Sequence, residues 1–232
     1  AWLFTITASN DSGTATARLH LTTLPGSVVD TPDDGPDDDA GADAVCFSTA
    51  AGGCSLRAAV QTANQRTTPQ LALLGTATHA LTAELDPITN DLEIAGLDTA
   101  TSVVRAATAQ PGYRMVSLAT KHQLRLELIT VADFGVVSGA VAAVSDGRLD
   151  VDVCAFTNNE ALGSGGVLYI IGGTQATFTD STFTANRAFG GCCGGWGGVI
   201  DAEGAGTDVT VTGCTATANS SNWGSFAHIT TG

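Results

Sequence analysis

The chain has 232 residues and a formal net charge of −14, with 9 Lys and Arg against 23 Asp and Glu. A protein that binds nucleic acid or an anionic membrane needs clustered cations, and this composition does not provide them. No apolar run is long enough to cross a bilayer as a helix. We therefore expect neither a nucleic-acid partner nor a transmembrane segment.

Residues 2–23 alternate apolar and polar side chains on both sides of a turn at Asn10–Gly13, which predicts a β-hairpin. The stretch FTITASNDSGTATARLHLTT resembles the last two strands of a bacterial immunoglobulin-like domain. Because a lone hairpin is marginally stable, the resemblance implies that residues 1–23 are the remnant of such a domain. The first residues already read as mid-strand, so we expect an internal piece of a larger protein, truncated at its C-terminal end.

Residues 24–45 form an acidic, proline-containing segment with seven aspartates. Like charges at this density repel one another, which predicts an extended or disordered linker. The alternative is a calcium site, for which the candidate ligands are Asp33, Asp34, Asp37 and Asp39. Their spacing does not fit the EF-hand pattern. We therefore expect no cofactor, and calcium is the alternative.

Cys46 and Cys54 bracket a short polar loop and are predicted to form a disulfide. Six cysteines in a chain with a single lysine favour an oxidising, extracytoplasmic environment.

A short amphipathic helix is predicted over 55–64, because apolar residues at 56, 59, 60 and 63 share one helical face and Ser55 is a suitable N-cap. The segment CSLRAAVQTAN, with the Asp-rich run and cysteine before it, resembles the CSLREAI-type segment that begins many secreted bacterial β-helix proteins. Ala58 stands where that segment usually has Glu. A helix here can cover the open end of a stack of strands.

Three segments repeat from residue 139 onward, each with a Gly-led apolar strand, a Gly turn, a second strand and a closing asparagine. These asparagines are Asn159, Asn186 and Asn219, with spacings of 27 and 33 residues. A looser copy precedes them at 124–134. Short strands with such a period indicate a solenoid, in which each repeat forms one rung of a stack.

Apolar residues align in columns when the repeats are superimposed, with polar residues between them, as expected for strands with one buried face. The inward columns of the second strand are Leu124, Leu149, Ala176 and Val209; Leu126, Val151, Phe178 and Val211; and Val131, Phe156, Phe183 and Ala216. Those of the first strand are Ala142, Leu168, Ile200 and Ala227, and Val144, Ile170, Ala202 and Ile229. The predicted fold is all-β, a parallel β-helix over 46–232 with regular rungs over about 124–232.

Two short motifs add a resemblance. Gly165–Leu168 and Gly197–Ile200 are similar to the GGAI-type motif, and Phe156–Asn159 and Phe183–Asn186 are similar to the FxxN motif. Both motifs recur in polymorphic outer-membrane protein repeats and in bacterial right-handed parallel β-helix surface proteins. The last copy departs from the pattern at Ala216. The resemblance implies a right-handed, single-stranded helix of the pectate-lyase-like superfold, on a secreted or cell-surface protein of a bacterium.

The remaining cysteines carry less information. Cys154 and Cys214 fall in one column two rungs apart, roughly 9.6 Å at the usual strand spacing, which is too far for a disulfide. They are expected to pack as small apolar side chains. The connectivity of Cys192 and Cys193, in the insert 190–196, is left open.

The best candidate for chemistry is an outward column containing Tyr169, Asp201 and His228, in which the aspartate could orient the imidazole as a general base. No serine or cysteine nucleophile is fixed relative to it, so the preferred interpretation is a solvated column. Trp196 could anchor a ligand or fold back on the stack. The closing asparagines are predicted to form hydrogen-bonded ladders along the stack.

The expected function is a non-catalytic scaffold for adhesion or surface display, with a glycan or a protein of another cell as partner. The alternative is a polysaccharide lyase or a glycoside hydrolase. A lyase would need a basic residue facing carboxylates, for which the repeat strands offer Arg125 and Arg148.

A glycosidase would need two carboxylates across a cleft. The possible pairs are Asp150 with Asp152 and Asp201 with Glu203. Aromatic residues make up only 6% of the chain, which argues against a sugar-binding cleft.

Overall fold

The computed structural model describes residues 2–10, 13–21, 24–39, 45–109, 112–190 and 194–230. At the N-terminus, β1 (Trp2–Asn10) and β2 (Gly13–Leu21) pair antiparallel in continuous register. The predicted hairpin is therefore confirmed.

A second group of elements follows the hairpin. It consists of β3 (Gly26–Val29), α1 (Leu56–Asn64), β4 (Gln70–Leu74), β5 (Ala77–Leu81), β6 (Leu92–Ala95), β7 (Ser102–Ala106) and β8 (Val116–Leu118). The first two regular rungs contain β9 (Gln123–Glu127), β10 (Thr130–Ala132), β11 (Gly135–Ser138), β12 (Ala142–Ser145), β13 (Arg148–Asp152), β14 (Ala155–Thr157), β15 (Glu160–Ser164) and β16 (Leu168–Ile171). The remainder contains β17 (Gln175–Thr179), β18 (Thr182–Thr184), β19 (Arg187–Ala188), β20 (Ile200–Glu203), β21 (Asp208–Thr212), β22 (Thr215–Thr217), β23 (Ser220–Ser221) and β24 (Ala227–Thr230).

The strands after the hairpin form four parallel sheets, and in the regular part each rung contributes one strand to every sheet. Sheet 1 contains β8, β12, β16, β20 and β24, and sheet 2 contains β3, β4, β6, β9, β13, β17 and β21. Sheet 3 contains β5, β7, β10, β14, β18 and β22, and sheet 4 contains β11, β15, β19 and β23. The fold is thus a parallel β-helix solenoid, as predicted, but with four strands per rung instead of two.

Single residues with left-handed backbone separate the short strands. Val153 has φ 50°, Asn158 φ 56° and Ala185 φ 55°. One such residue redirects the chain without a loop, although only glycine adopts this conformation freely. Because valine and alanine rarely signal a turn, the sequence did not indicate these corners, and the two extra strands were missed.

The core consists of the predicted columns up to β20. The prediction of an inward, buried position is wrong for Val211, Ala216 and Ile229, which are exposed because they lie at the open end of the described stack. Strand pairing places Leu149 beside Leu124 and Ala176, and Phe156 beside Val131 and Phe183. The rings of Phe156 and Phe183 stack, with centroids 5.1 Å apart and an interplanar angle of 8°. Both side chains are fully buried. The buried apolar side chains of successive rungs therefore form a continuous column along the axis of the stack, and their burial stabilises the fold.

The paired glycines of the GGAI-type motif permit close approach of successive rungs at one corner. A Cβ on Gly166 would overlap the carbonyl oxygen of Gly198, and a Cβ on Gly198 would overlap that of Ser225. Glycine is required at these positions because the neighbouring backbone fills the space of a side chain.

The predicted capping helix is confirmed as α1. Ser55 is its N-cap, and the Ser55 hydroxyl accepts a hydrogen bond from the Ala58 N–H at 3.0 Å. The apolar face of the helix, which includes Leu56 and Val60, is buried against the first strands.

The prediction of a detached acidic linker is wrong for residues 24–39. β3 pairs in parallel with β4, so that Val28 lies beside Leu73. Several aspartates that were expected to repel one another instead accept hydrogen bonds from the helix, its preceding loop and the first rung. The segment is part of an N-terminal cap, which we define as residues 24–39 and 45–65.

Candidate functional site

The candidate column of sheet 1 is assembled as expected. Pairing of β16, β20 and β24 places Asp201 between Tyr169 and His228. The Nδ1 atom of His228 lies 2.8 Å from Oδ1 of Asp201. Asp201 is fully buried, whereas 27% of the His228 side chain is exposed. The expectation of a solvated column is therefore wrong for Asp201, because neighbouring rungs cover its carboxylate.

Trp196 folds back on the stack. Its ring stacks on that of His228, with centroids 6.0 Å apart and planes inclined by 22°. The Trp196 backbone forms isolated bridges with Ser164 on one side and Trp223 on the other. Trp196 thus packs against one face of the imidazole. Cys192 and Cys193 of the same insert lie outside the described residues.

Glu203, the next outward residue of β20 after Asp201, also contacts Tyr169. The Tyr169 hydroxyl donates a hydrogen bond to Oε2 of Glu203 at 3.2 Å. Partial burial, with the negative charges of Glu203 and Asp201, raises the pKa of Tyr169. With Nδ1 held by Asp201, the Nε2 atom of His228 is the ring atom that could exchange a proton with a bound molecule. Chemically, the column is a carboxylate-oriented imidazole.

A second ionic group lies on sheet 2. The Arg125 guanidinium is 3.0 Å from Glu127, 3.5 Å from Asp152 and 3.9 Å from Glu93. The register places Arg125 between Glu93 and Asp150 in one outward column. Burial opposes the charge of Arg125, but the three carboxylates together raise its pKa. Arg125 therefore lies between Glu127 and Asp152 and offsets the repulsion expected from their position on adjacent rungs.

Arg148 is also paired. Its Nε atom is 2.8 Å from Oδ2 of Asp150, and hydrogen bonding to that carboxylate raises the pKa of Arg148. A guanidinium stabilised in its charged form is a poor proton acceptor. Neither of the arginines available to a lyase has the electrostatic environment of a base.

The calcium candidates do not converge. Asp34 forms a bidentate ion pair with Arg57 at 2.8 and 3.0 Å and accepts the Thr82 N–H at 2.8 Å. Asp37 accepts the Thr62 hydroxyl at 3.0 Å, while Asp33 and Asp39 are exposed. Among the described residues, no three His, Cys, Asp or Glu are grouped so that they could hold a metal ion. The aspartates that are buried hold the cap together.

The asparagine ladder is confirmed. The Asn159 Nδ2 group donates to Oδ1 of Asn186 at 3.0 Å, and Asn186 donates in the same way to Asn219 at 3.0 Å. Asn186 Nδ2 also donates to the carbonyl of Phe156 at 2.9 Å. Asn158 takes no part in this side-chain ladder, because it occupies the left-handed corner and is exposed.

The cysteines agree with expectation where they are described. Cys46 and Cys54 form a disulfide, and Cys154 and Cys214 are free. Burial raises the pKa of Cys154 to about 12. A thiol of this kind packs as a small apolar side chain and is a poor nucleophile.

Comparisons with protein-family models, with curated proteins and with solved structures found no match. None of the helices in the described residues combines the length and hydrophobicity needed to cross a membrane.

Two features were not predicted. Trp223 bridges Trp196 from the next rung and is 62% exposed. Glu160 and Arg187 form an ion pair at 2.6 Å on sheet 4, a sheet that the two-strand repeat did not include. A search for charges one position after each closing asparagine would have found this pair.

Proposed function

We propose that this chain is the scaffold part of a secreted or cell-surface bacterial protein that acts in adhesion or surface display, without catalysis. The observation that carries the proposal is that the arginines on the outward columns of the regular rungs are paired with carboxylates of their own strand or of a neighbouring rung. Such pairs use the charges within the stack, whereas a catalytic site needs ionisable groups directed at a substrate.

These pairs occur on two different sheets. On sheet 2, Arg125 contacts Asp152 of the neighbouring rung, and Arg148 pairs with Asp150 of its own strand. On sheet 4, Arg187 pairs with Glu160 of the neighbouring rung. Exposed ion pairs of this kind contribute little stability, roughly 0–1 kcal/mol each. Their consequence for function is that they occupy the basic residues that a lyase would use.

Two further features support an extracytoplasmic setting. The disulfide between Cys46 and Cys54 closes the cap, and disulfides persist in oxidising compartments. The segment Cys54–Asn64 resembles the CSLREAI-type start of secreted β-helix proteins, which is consistent with a surface role. The glycan or protein that such a scaffold would bind is a matter for experiment.

A second candidate, a carbohydrate-active enzyme, is favoured by one observation only, the 2.8 Å contact between His228 and Asp201. The experiment that separates the two functions uses wild type, Asp201→Asn and His228→Gln. Each protein is incubated with acidic and neutral polysaccharides, with and without calcium, and reducing ends and unsaturated uronates are measured. Binding to immobilised glycans and to cells is measured in parallel.

For a scaffold we expect saturable binding to a glycan or cell surface and no product above the protein-free control. Product formation by wild type that is lost in Asp201→Asn would establish the enzyme and overturn the scaffold. Absence of binding to every surface, together with absence of product, would also reject adhesion.

A further inference from the structure

Sheet 4 exposes apolar side chains on its outward face. Val137, Leu162 and Phe189 are 65%, 55% and 40% exposed, respectively. Val136 pairs with Ala161, and Ala161 pairs with Ala188, so the three exposed residues follow the same position on successive rungs. We call these three residues the apolar stripe. Leu162 and Phe189 belong to inner rungs of the described stack, and Val137 lies on β11, the first strand of sheet 4. The open end of the last rung therefore does not explain their exposure.

A charged pair borders the apolar stripe. Glu160 and Arg187 occupy the neighbouring outward column, one rung apart, and Arg187 also lies over the ring of Phe189 at 4.3 Å. Beside the stripe is a depression of about 170 Å³. It is lined by Gly112, Gly135, Val136, Val137, Glu160 and Leu162.

The face as a whole is electrically neutral. The outward positions of its strands contain one acid, Glu160, and one base, Arg187, in a chain with a net charge of −14. Two copies of so acidic a chain repel each other at most orientations. A neutral face with an exposed apolar stripe is where that repulsion is smallest and where burial of apolar area is favourable.

We propose that sheet 4 is a self-association surface, on which a second copy of this chain packs with its stack antiparallel to the first. A two-fold axis parallel to the strands, midway between the rungs of Glu160 and Arg187, makes the face complementary to itself. Glu160 then faces Arg187 of the second copy, and Arg187 faces its Glu160. The same axis places Leu162 against Phe189 of the second copy, next to the depression. An interface of this type uses one patch twice, as closed dimers do.

The expected dimer is weak. Four strands at roughly 4.8 Å spacing, each about five residues wide, present an area on the order of 300 Å². Stable interfaces bury about 800 Å² on each partner. Association should therefore be sought by sedimentation equilibrium of the full chain from about 10 μM to about 1 mM, the range of weak complexes.

Leu162→Asp places an unpaired charge at the centre of the interface and is expected to weaken dimerisation at least about tenfold, the equivalent of one lost hot-spot contact. The matched control is Leu97→Asp. Leu97 is 58% exposed and follows β6 in sheet 2, so this change should leave the dimer constant unaltered.

A charge exchange gives the sharper test. Glu160→Arg and Arg187→Glu each break the ion pair within a chain and place like charges across the proposed interface, so each variant alone should be monomeric. A one-to-one mixture restores opposite charges at both intermolecular positions and should dimerise. Loss of the pair within each chain cannot explain that rescue. Circular dichroism and melting curves verify that both variants are folded.

Wild type that stays monomeric at the highest concentration would overturn the proposal. A dimer that tolerates Leu162→Asp, or one that mixing fails to rescue, would place the contact on another face and would equally reject it. These outcomes do not depend on whether the chain acts in adhesion.

Discussion

The N-terminal cap and the regular rungs stabilise the same stack in different ways. In the rungs, each inward position meets an equivalent position above and below, as Phe156 meets Phe183. In the cap, each contact occurs once, as when Asp34 joins Arg57 and Thr82. Repetition distributes stability over many similar contacts, whereas the cap depends on a few buried polar groups that have no substitute.

The largest effect is expected in the rungs. Phe156→Ala removes a fully buried ring from the central pile and leaves a cavity, so the free energy of unfolding should fall by about 3–5 kcal/mol. Urea denaturation followed by circular dichroism measures this loss. Val211→Ala is the control, since Val211 is 40% exposed and should lose much less. Equal losses in the two variants would contradict a continuous buried column.

A smaller and local effect is expected in the cap. Asp34→Asn removes the charge that pairs with the nearly buried Arg57, whose side chain is 12% exposed, and should cost about 2–4 kcal/mol. Hydrogen exchange should show faster exchange over 26–39 and 45–65, with protection of β13 to β18 retained.

The adjacent Asp33 provides a matched control for this prediction, because it is exposed and Asp33→Asn should change neither region. A uniform loss of protection throughout the stack would show that the cap and the rungs form one cooperative unit.

The ladder should respond to Asn186→Ala with a loss of about 1–3 kcal/mol, because the N–H and Nδ2 groups of Asn159 would lose their buried acceptor. Thermal unfolding measures the effect. Asn158→Gly is the control, since Asn158 is exposed with φ 56°, a conformation that glycine adopts without strain. If Asn186→Ala lost less stability than Asn158→Gly, the asparagine ladder would not contribute to the stability of the fold.

The smallest effect concerns pH. His79 of β5 is 2% exposed, and burial lowers its pKa, an effect that a backbone hydrogen bond with Thr31 opposes only in part. Above about pH 6.5, His79 is neutral in both states and contributes no pH dependence. As the pH falls below that value, the unfolded chain binds the proton first, and stability declines until the lower pKa of the folded state is reached.

His79→Leu should therefore flatten the dependence of melting temperature on pH between about 7 and 5. His122→Gln is the control, because the His122 side chain is 36% exposed. If His79→Leu and wild type show the same slope, His79 is not buried in its neutral form in solution.

The inward columns could be predicted from the sequence because their in-register alternation leaves one way to bury them. Leu124, Leu149 and Ala176 lie side by side as expected. The helix was predictable for a similar reason, since its apolar spacing and N-cap are local signals.

The cap and the left-handed corners were not predictable in the same way. Asp34 looked like one of several repelling charges, because its partner Arg57 lies 23 residues away in sequence. Ala185 adopts φ 55° although alanine carries no turn signal, so the sequence did not separate the strands of sheets 3 and 4. At the candidate site, alternation placed Asp201 on the outward side but gave no information on what covers it.

The asparagine ladder gives the solenoid a direction. Asn159 uses the carboxamide oxygen of Asn186, and Asn186 uses that of Asn219, so each turn is completed by the turn that follows it. A chain that emerges N-terminus first would wind in the order in which these groups become available. In each new rung, the asparagine side chain would lack its hydrogen-bond acceptor until the next rung has formed. The rungs would therefore become stable one after another, from the N-terminus to the C-terminus.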